Sequence, residues 1–329
     1  MVADEARRWQ TPVVASWALL LPLGPLAIAA LVLQYLGPGP GTGPLTDPAA
    51  IQAASMPLSS GPLLYATAVV IHVVVSLLAI LSYGLMIRDS DRPAERKLAV
   101  CSIAAAIAVL VLAAFVMLAD QGIAAYRVTY FDYLQFYAGV PDAYFDREHV
   151  GFPHLAWAIL APTALGVVAV LGAAAAADLL STGLLDPDDP EAARELRTSR
   201  EGVRRVLYLL SVVLVTSTLA ASVFFHLPSE LYGAEGEEAA AHLSRYADAL
   251  SVFWGAVYTL TLIAAVAVPA ARLQRRAEGA GDGLAGPDGG AEAHAEEDIG
   301  DTLVGQLRLL LAVLAPLIAG PVANVLQSV

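Results

Sequence analysis

Uninterrupted apolar runs of about 20 residues recur along this chain, and that is the length a helix needs to cross the hydrocarbon core of a bilayer. Six stand out, at roughly 13–36, 62–87, 98–119, 153–177, 206–226 and 250–272. Inside a bilayer no water satisfies backbone N–H and C=O groups, so runs of this kind fold as helices. A seventh stretch, about 303–326, is interrupted by Pro316, Gly320 and Pro321 and carries Arg308 near its start. It reads either as a crossing helix or as one associated with the membrane surface. The expected fold class is therefore all-α: a polytopic integral membrane bundle with six or seven transmembrane helices. The first run follows Arg7 and Arg8, but it exceeds the apolar core of a signal peptide and is read as a span.

Composition fits this class. Hydrophobic residues make up 57% of the chain and charged residues 15%, against about 25% charged in soluble domains. The net charge of −13 argues against nucleic acid as a partner, because phosphate binding needs a concentrated basic surface. The single cysteine, Cys101, excludes an intramolecular disulfide framework and any multi-cysteine cluster.

The chain divides into a membrane bundle over 1–276, a flexible acidic linker over 277–301 and an apolar C-terminal helix over 302–329. The linker, AEGAGDGLAGPDGGAEAHAEEDIGD, is too polar and glycine-rich to bury a core. Basic residues then orient the bundle. The N-terminus and the second, fourth and sixth connections hold 14 of them, against Arg127, Arg147 and Arg245 in the intervening three. The positive-inside rule places the N-terminus and the even connections in the cytoplasm. The expected location is the cell (inner) membrane, with the bilayer as first partner and a homo-oligomer or a larger membrane complex as the assembly.

Chemistry is less legible. The central thirds of the six runs contain no Asp, Glu, Lys or Arg, residues that at such depth mark ion pathways and proton relays. There is no phosphate-binding loop, metalloprotease pair or serine-hydrolase elbow, so no catalytic residue is assigned. The acidic stretch Asp186–Glu191 reads as a turn and helix start.

Histidines provide the metal and cofactor candidates. His72 lies mid-run, where an axial haem role or a proton-sensing role would be chemically suitable. His149, His154 and His226 fall near the outer surface and could hold copper or zinc. Against both stands the ordinary reading, in which each imidazole hydrogen-bonds within the bundle; no cofactor is predicted. Hydroxyls gather on the fifth and sixth runs. Ser211, Thr218, Ser222, Ser251 and Tyr258 are candidates to line a polar path, although such groups commonly bond to their own helix or glue neighbours together. Small residues at Gly166, Ala169, Ala173 and Ala176 predict close helix contact. Finally, Tyr126, Tyr130, Tyr133 and Tyr137 share one helical face in the aromatic segment before the fourth run, as expected of an interfacial anchor.

Three functions remain open on this basis. One is an oligomeric channel or uncoupled permeation pathway. Another is a sensor, effector or scaffold subunit working through its cytoplasmic loops and C-terminal segment. The last is a redox subunit binding haem or copper through histidines.

Overall fold

The computed structural model describes residues 20–36, 61–90, 152–182, 192–230, 237–284 and 313–319, with part of 93–111. The described residues contain helices and no strands. The main helices are α1 (Leu23–Leu36), α2 (Gly61–Arg88), α3 (Phe152–Ser181), α4 (Ala192–Glu230) and α5 (Glu237–Leu284). Residues 313–319 add a short helix, α6.

Four helices are long and apolar enough to cross a membrane, over Leu63–Arg88, Leu160–Ser181, Glu195–Ser229 and Ala240–Arg276. The chain is thus a membrane-embedded helical protein. Helix α1 is apolar but shorter, and most of the predicted run 98–119 lies outside the described residues. At 1.5 Å per residue the 39 residues of α4 extend about 58 Å, roughly twice the hydrocarbon thickness. Its first turns are charged, with Arg197, Arg200, Arg204 and Arg205 all exposed. Helix α5 runs on to Leu284, into the stretch read as linker.

Helix α4 packs on α5, α2 and α3; α3 also touches α2 and α5, and α1 rests on α5. The central core joins Ala79 and Tyr83 of α2, Ala169 and Ala173–Ala177 of α3, Val206, Leu210 and Val213 of α4, and Leu262 and Ala265 of α5. Such small and branched side chains let helix backbones approach, which is what drives association where lipid is as apolar as leucine. Glycine extends the same effect. A Cβ added to Gly172 would lie 3.3 Å from the Tyr83 ring, and one added to Gly166 would lie 3.3 Å from His72 Nε2. The predicted small-residue stripe of α3 is this contact face.

On its other side α2 presents Val70, Ile71, Val74, Leu77, Leu78 and Leu81, a broad apolar surface suited to lipid. Helix α6 seats against α5: a Cβ on Gly255 would fall 2.9 Å from the Pro316 carbonyl oxygen, and Val313 packs on the central core.

The two ends of the bundle differ. At one end Asp178 of α3 pairs with Arg272 of α5, Arg276 donates to the Ser181 carbonyl, and Arg96 donates to the Arg88 carbonyl. At the other end stand Tyr65, Phe224, Phe225 and the pair His226–Asp248.

Candidate functional site

His72 sits nine residues into its span, about 14 Å deep at the helical rise. Its side chain is almost fully buried, at 2% exposure. Two neighbouring helices meet its ring. Nε2 lies 3.2 Å from the Pro162 carbonyl oxygen of α3, and Nδ1 lies 3.1 Å from Thr216 Oγ1 of α4. Thr216 Oγ1 in turn lies 2.9 Å from the Val213 carbonyl oxygen, one turn back on its own helix. Local sequence explains why this cluster forms. Gly166 clears the space for the imidazole, and Pro162 stands inside α3, where its missing N–H breaks one ladder bond.

Counting protons in this cluster is informative. Carbonyl oxygens only accept, so the contact with Pro162 requires a proton on Nε2 and the contact with Val213 requires the threonine proton. The Nδ1–Thr216 contact then needs a third. Neutral histidine and threonine together carry two. All three contacts are hydrogen bonds at once only when His72 holds both ring protons. Among the described residues no carboxylate lines this site: α2 contributes Tyr65 and Val69, α3 contributes Pro162 and Thr163, α4 contributes Ser217, and α5 contributes Trp254 and Tyr258.

Those residues surround a cavity of about 50 Å³ that begins at His72 and runs toward Phe224 and Phe225. Its rim is aromatic. The Tyr65 and Phe224 rings are 5.6 Å apart, and the Trp254 and Tyr258 rings 5.8 Å. The Trp254 Nε1 atom is buried without a hydrogen-bond partner, as is the hydroxyl of Ser76, one turn beyond His72 on α2.

A second histidine cluster joins α4 to α5. His226 Nδ1 lies 2.8 Å from the Ser222 carbonyl oxygen and Nε2 lies 3.0 Å from Asp248 Oδ1. Both neighbours accept if Asp248 is ionised, so this contact also calls for two protons on the ring, or for one on the carboxyl. One turn inward the Ser251 and Ser222 hydroxyls meet across the same interface, 3.1 Å apart.

The remaining candidates fall as follows. Thr218 donates to the Leu214 carbonyl, and Ser251 also reaches the Ala247 carbonyl. Ser211 is buried. Of the five hydroxyl residues singled out in the sequence, Tyr258 lines the cavity. His154 belongs to α3, while His149, Tyr126, Tyr130, Tyr133 and Tyr137 lie outside the described residues. Among the described residues no three metal-ligating side chains come together. Sequence reading missed Pro162 and Thr216 as partners of His72, and the pair Asp178–Arg272. Matching depths along adjacent runs would have suggested the first, since a proline within an apolar run and a mid-run histidine are both exceptions to the helical pattern.

Compared with known proteins, the chain matches no family model, no curated protein and no solved structure.

Proposed function

We propose that this protein is a membrane sensor or effector subunit whose input is the protonation of His72. The observation that carries this reading is the proton count: three hydrogen-bond contacts link α2, α3 and α4 at the ring, and neutral His72 supplies one proton too few. Gaining the second proton makes the Nδ1–Thr216 contact a hydrogen bond without removing the Thr216–Val213 bond, and so draws α2 toward α4. Helix α4 is the natural output. It is fixed to α2 again where the Tyr83 hydroxyl donates to the Val206 carbonyl, and it continues into the exposed arginine-bearing turns at its start.

In this reading the bundle has six or seven spans in the cell (inner) membrane. The arginine-rich end lies in the cytoplasm, following the positive-inside rule, and a further subunit or a second copy receives the signal. The packing of the described helices lends conduction through one subunit little support. Beyond His72 toward the arginine end, Ala79, Ala173, Val206 and Leu210 are each fully buried in a close-packed apolar core. The hydroxyls Thr218 and Ser251 are engaged by their own helices. A redox role has no supporting observation at His72, where both ring nitrogens already face protein groups.

The test is a titration of ¹⁵N-histidine-labelled protein in lipid nanodiscs, from about pH 8 to about pH 5, the range in which imidazole ordinarily titrates. The resonance lost in His72→Gln is expected to convert to the doubly protonated form as pH falls, with a parallel change in Trp254 fluorescence that is absent from the His72→Gln protein. A His72 ring holding a single proton throughout that range would overturn the reading.

A further inference from the structure

The cavity beside His72 has a direction, and that direction bears on how a proton reaches a residue so deep in the membrane. The lining residues of α2 are Tyr65, Val69 and His72, which descend from the aromatic end to mid-span. On α4 the lining runs from Ser217 near His72 out to Phe225, about 12 Å along the axis at the helical rise. Among the described residues none that lines the cavity lies beyond His72 toward the arginine end on α2, or before Ser217 on α4. The cavity is thus a blind well. Its floor is His72, and its upper rim holds Tyr65, Phe224, Phe225 and Trp254.

Its contents can be argued from size and polarity. Water needs about 10–15 Å³ of cavity volume, and two to four polar partners, to be held in a protein. The cavity volume of about 50 Å³ admits a few molecules, and Thr163, Ser217 and Tyr258 place hydroxyl-bearing side chains in the lining. An independent sign is Trp254 Nε1, a buried donor on a lining residue with no partner among the described residues. A buried polar group left in this state is costly, and a water in the well would accept from it. Among the described residues lining the well none carries a fixed charge.

We infer that this cavity is a one-sided proton-access well, through which water carries protons between the aromatic face of the membrane and His72. The inference rests on the sensor reading for its purpose but not for its test, because exchange needs the doubly protonated ring only as a transient and not as a populated state. A proton arriving from the aromatic side binds the well water as hydronium. The hydronium gives this proton to the His72 ring, which lines the well, and becomes water; the reverse transfer returns it. On the opposite side of the ring the described residues offer one buried hydroxyl, Ser76, and then the apolar core of Ala79, Val206 and Leu210, which gives no continuous relay, so the sensor reports the pH of one face.

The measurement is the rate of magnetisation exchange between water and the His72 imidazole N–H in nanodiscs. Filling the well with Ala221→Phe is expected to slow exchange at least about tenfold, and the gentler Ala221→Leu and Ser217→Ala to slow it by smaller factors. Retained helical circular dichroism identifies the folded variants. If the phenylalanine variant does not fold, the two gentler ones decide. An exchange rate unchanged in the folded variants would overturn the well, whatever the titration of His72 shows. Slowed exchange with a His72 that keeps one proton would support the well and overturn the sensor reading alone.

Discussion

The two halves of this bundle are built on opposite rules. Toward the arginine end, alanine and glycine bring α2, α3 and α4 into close contact: Ala79, Ala169, Ala173, Ala175 and Ala177 are all at 0% exposure. There Asp178 pairs directly with Arg272. Toward the aromatic end, large rings meet at 5.6 to 5.8 Å and leave a cavity of about 50 Å³. Polar atoms in that half are shared between helices or left over, as at His72, Trp254 and Ser222. Small side chains exclude both water and freedom of movement, whereas rings bridging a wider gap retain some of each. One half is close-packed, and the other holds the cavity beside His72.

The largest expected effect breaks this comparison at its charged ends. Asp178→Ala leaves Arg272, whose side chain is only 22% exposed, without its carboxylate, and should cost about 3 kcal/mol in denaturant unfolding of the detergent-solubilised protein. Asp248→Ala removes a side chain that is 46% exposed and should cost about 0.5 kcal/mol. Equal losses would remove the distinction between a sealed end and a wet one.

Packing offers a second contrast. Gly172→Val pushes a branched side chain against the Tyr83 ring, which a bare Cβ would already approach to 3.3 Å, and a cost of about 2 kcal/mol is expected. Ala221→Leu, which extends into the cavity, should cost less than about 1 kcal/mol in the same assay. A costlier change at Ala221 than at Gly172 would mean that the aromatic half is the tighter one.

The smallest effect sharpens the picture at His72 itself. A double-mutant cycle of His72→Gln and Thr216→Val should give a coupling near 0.6 kcal/mol, a typical hydrogen bond between membrane helices. The coupling should grow as pH falls, because acidification supplies the proton that the Nδ1–Thr216 contact needs. A coupling that shrinks on acidification would contradict the proton count.

Much of the architecture was readable in the chain because its cause is local. An apolar run sets helix length by itself, and the four long described spans fall within or across the predicted runs 62–87, 153–177, 206–226 and 250–272. The stripe of Gly166, Ala169, Ala173 and Ala176 signalled a close contact for a similar reason, since absent side-chain volume invites a neighbour. The ambiguous stretch beginning near 303 was legible only in part. That its residues 313–319 seat on Gly255 depends on the surface α5 offers.

The site was hidden for a different reason. His72, Pro162 and Thr216 are separated by 90 and 144 positions from the imidazole they share, and no motif links them. Thr216 belonged to a visible hydroxyl cluster, but the sequence could not distinguish it from Thr218, which turns to its own helix. Asp178 lay one residue beyond the end of an apolar run, where a charge ordinarily marks the membrane surface; its partner Arg272 comes from another helix.

The sequence by itself therefore determined that this protein lives in a membrane, how its helices lie along the chain and where its positive charge gathers. Each of these follows from the solvent each residue prefers, a property of the residue and its near neighbours. Only the tertiary structure decided which polar atoms meet. At His72 three helices bring together more acceptors than a neutral ring can serve, and that imbalance exists only once the helices have packed.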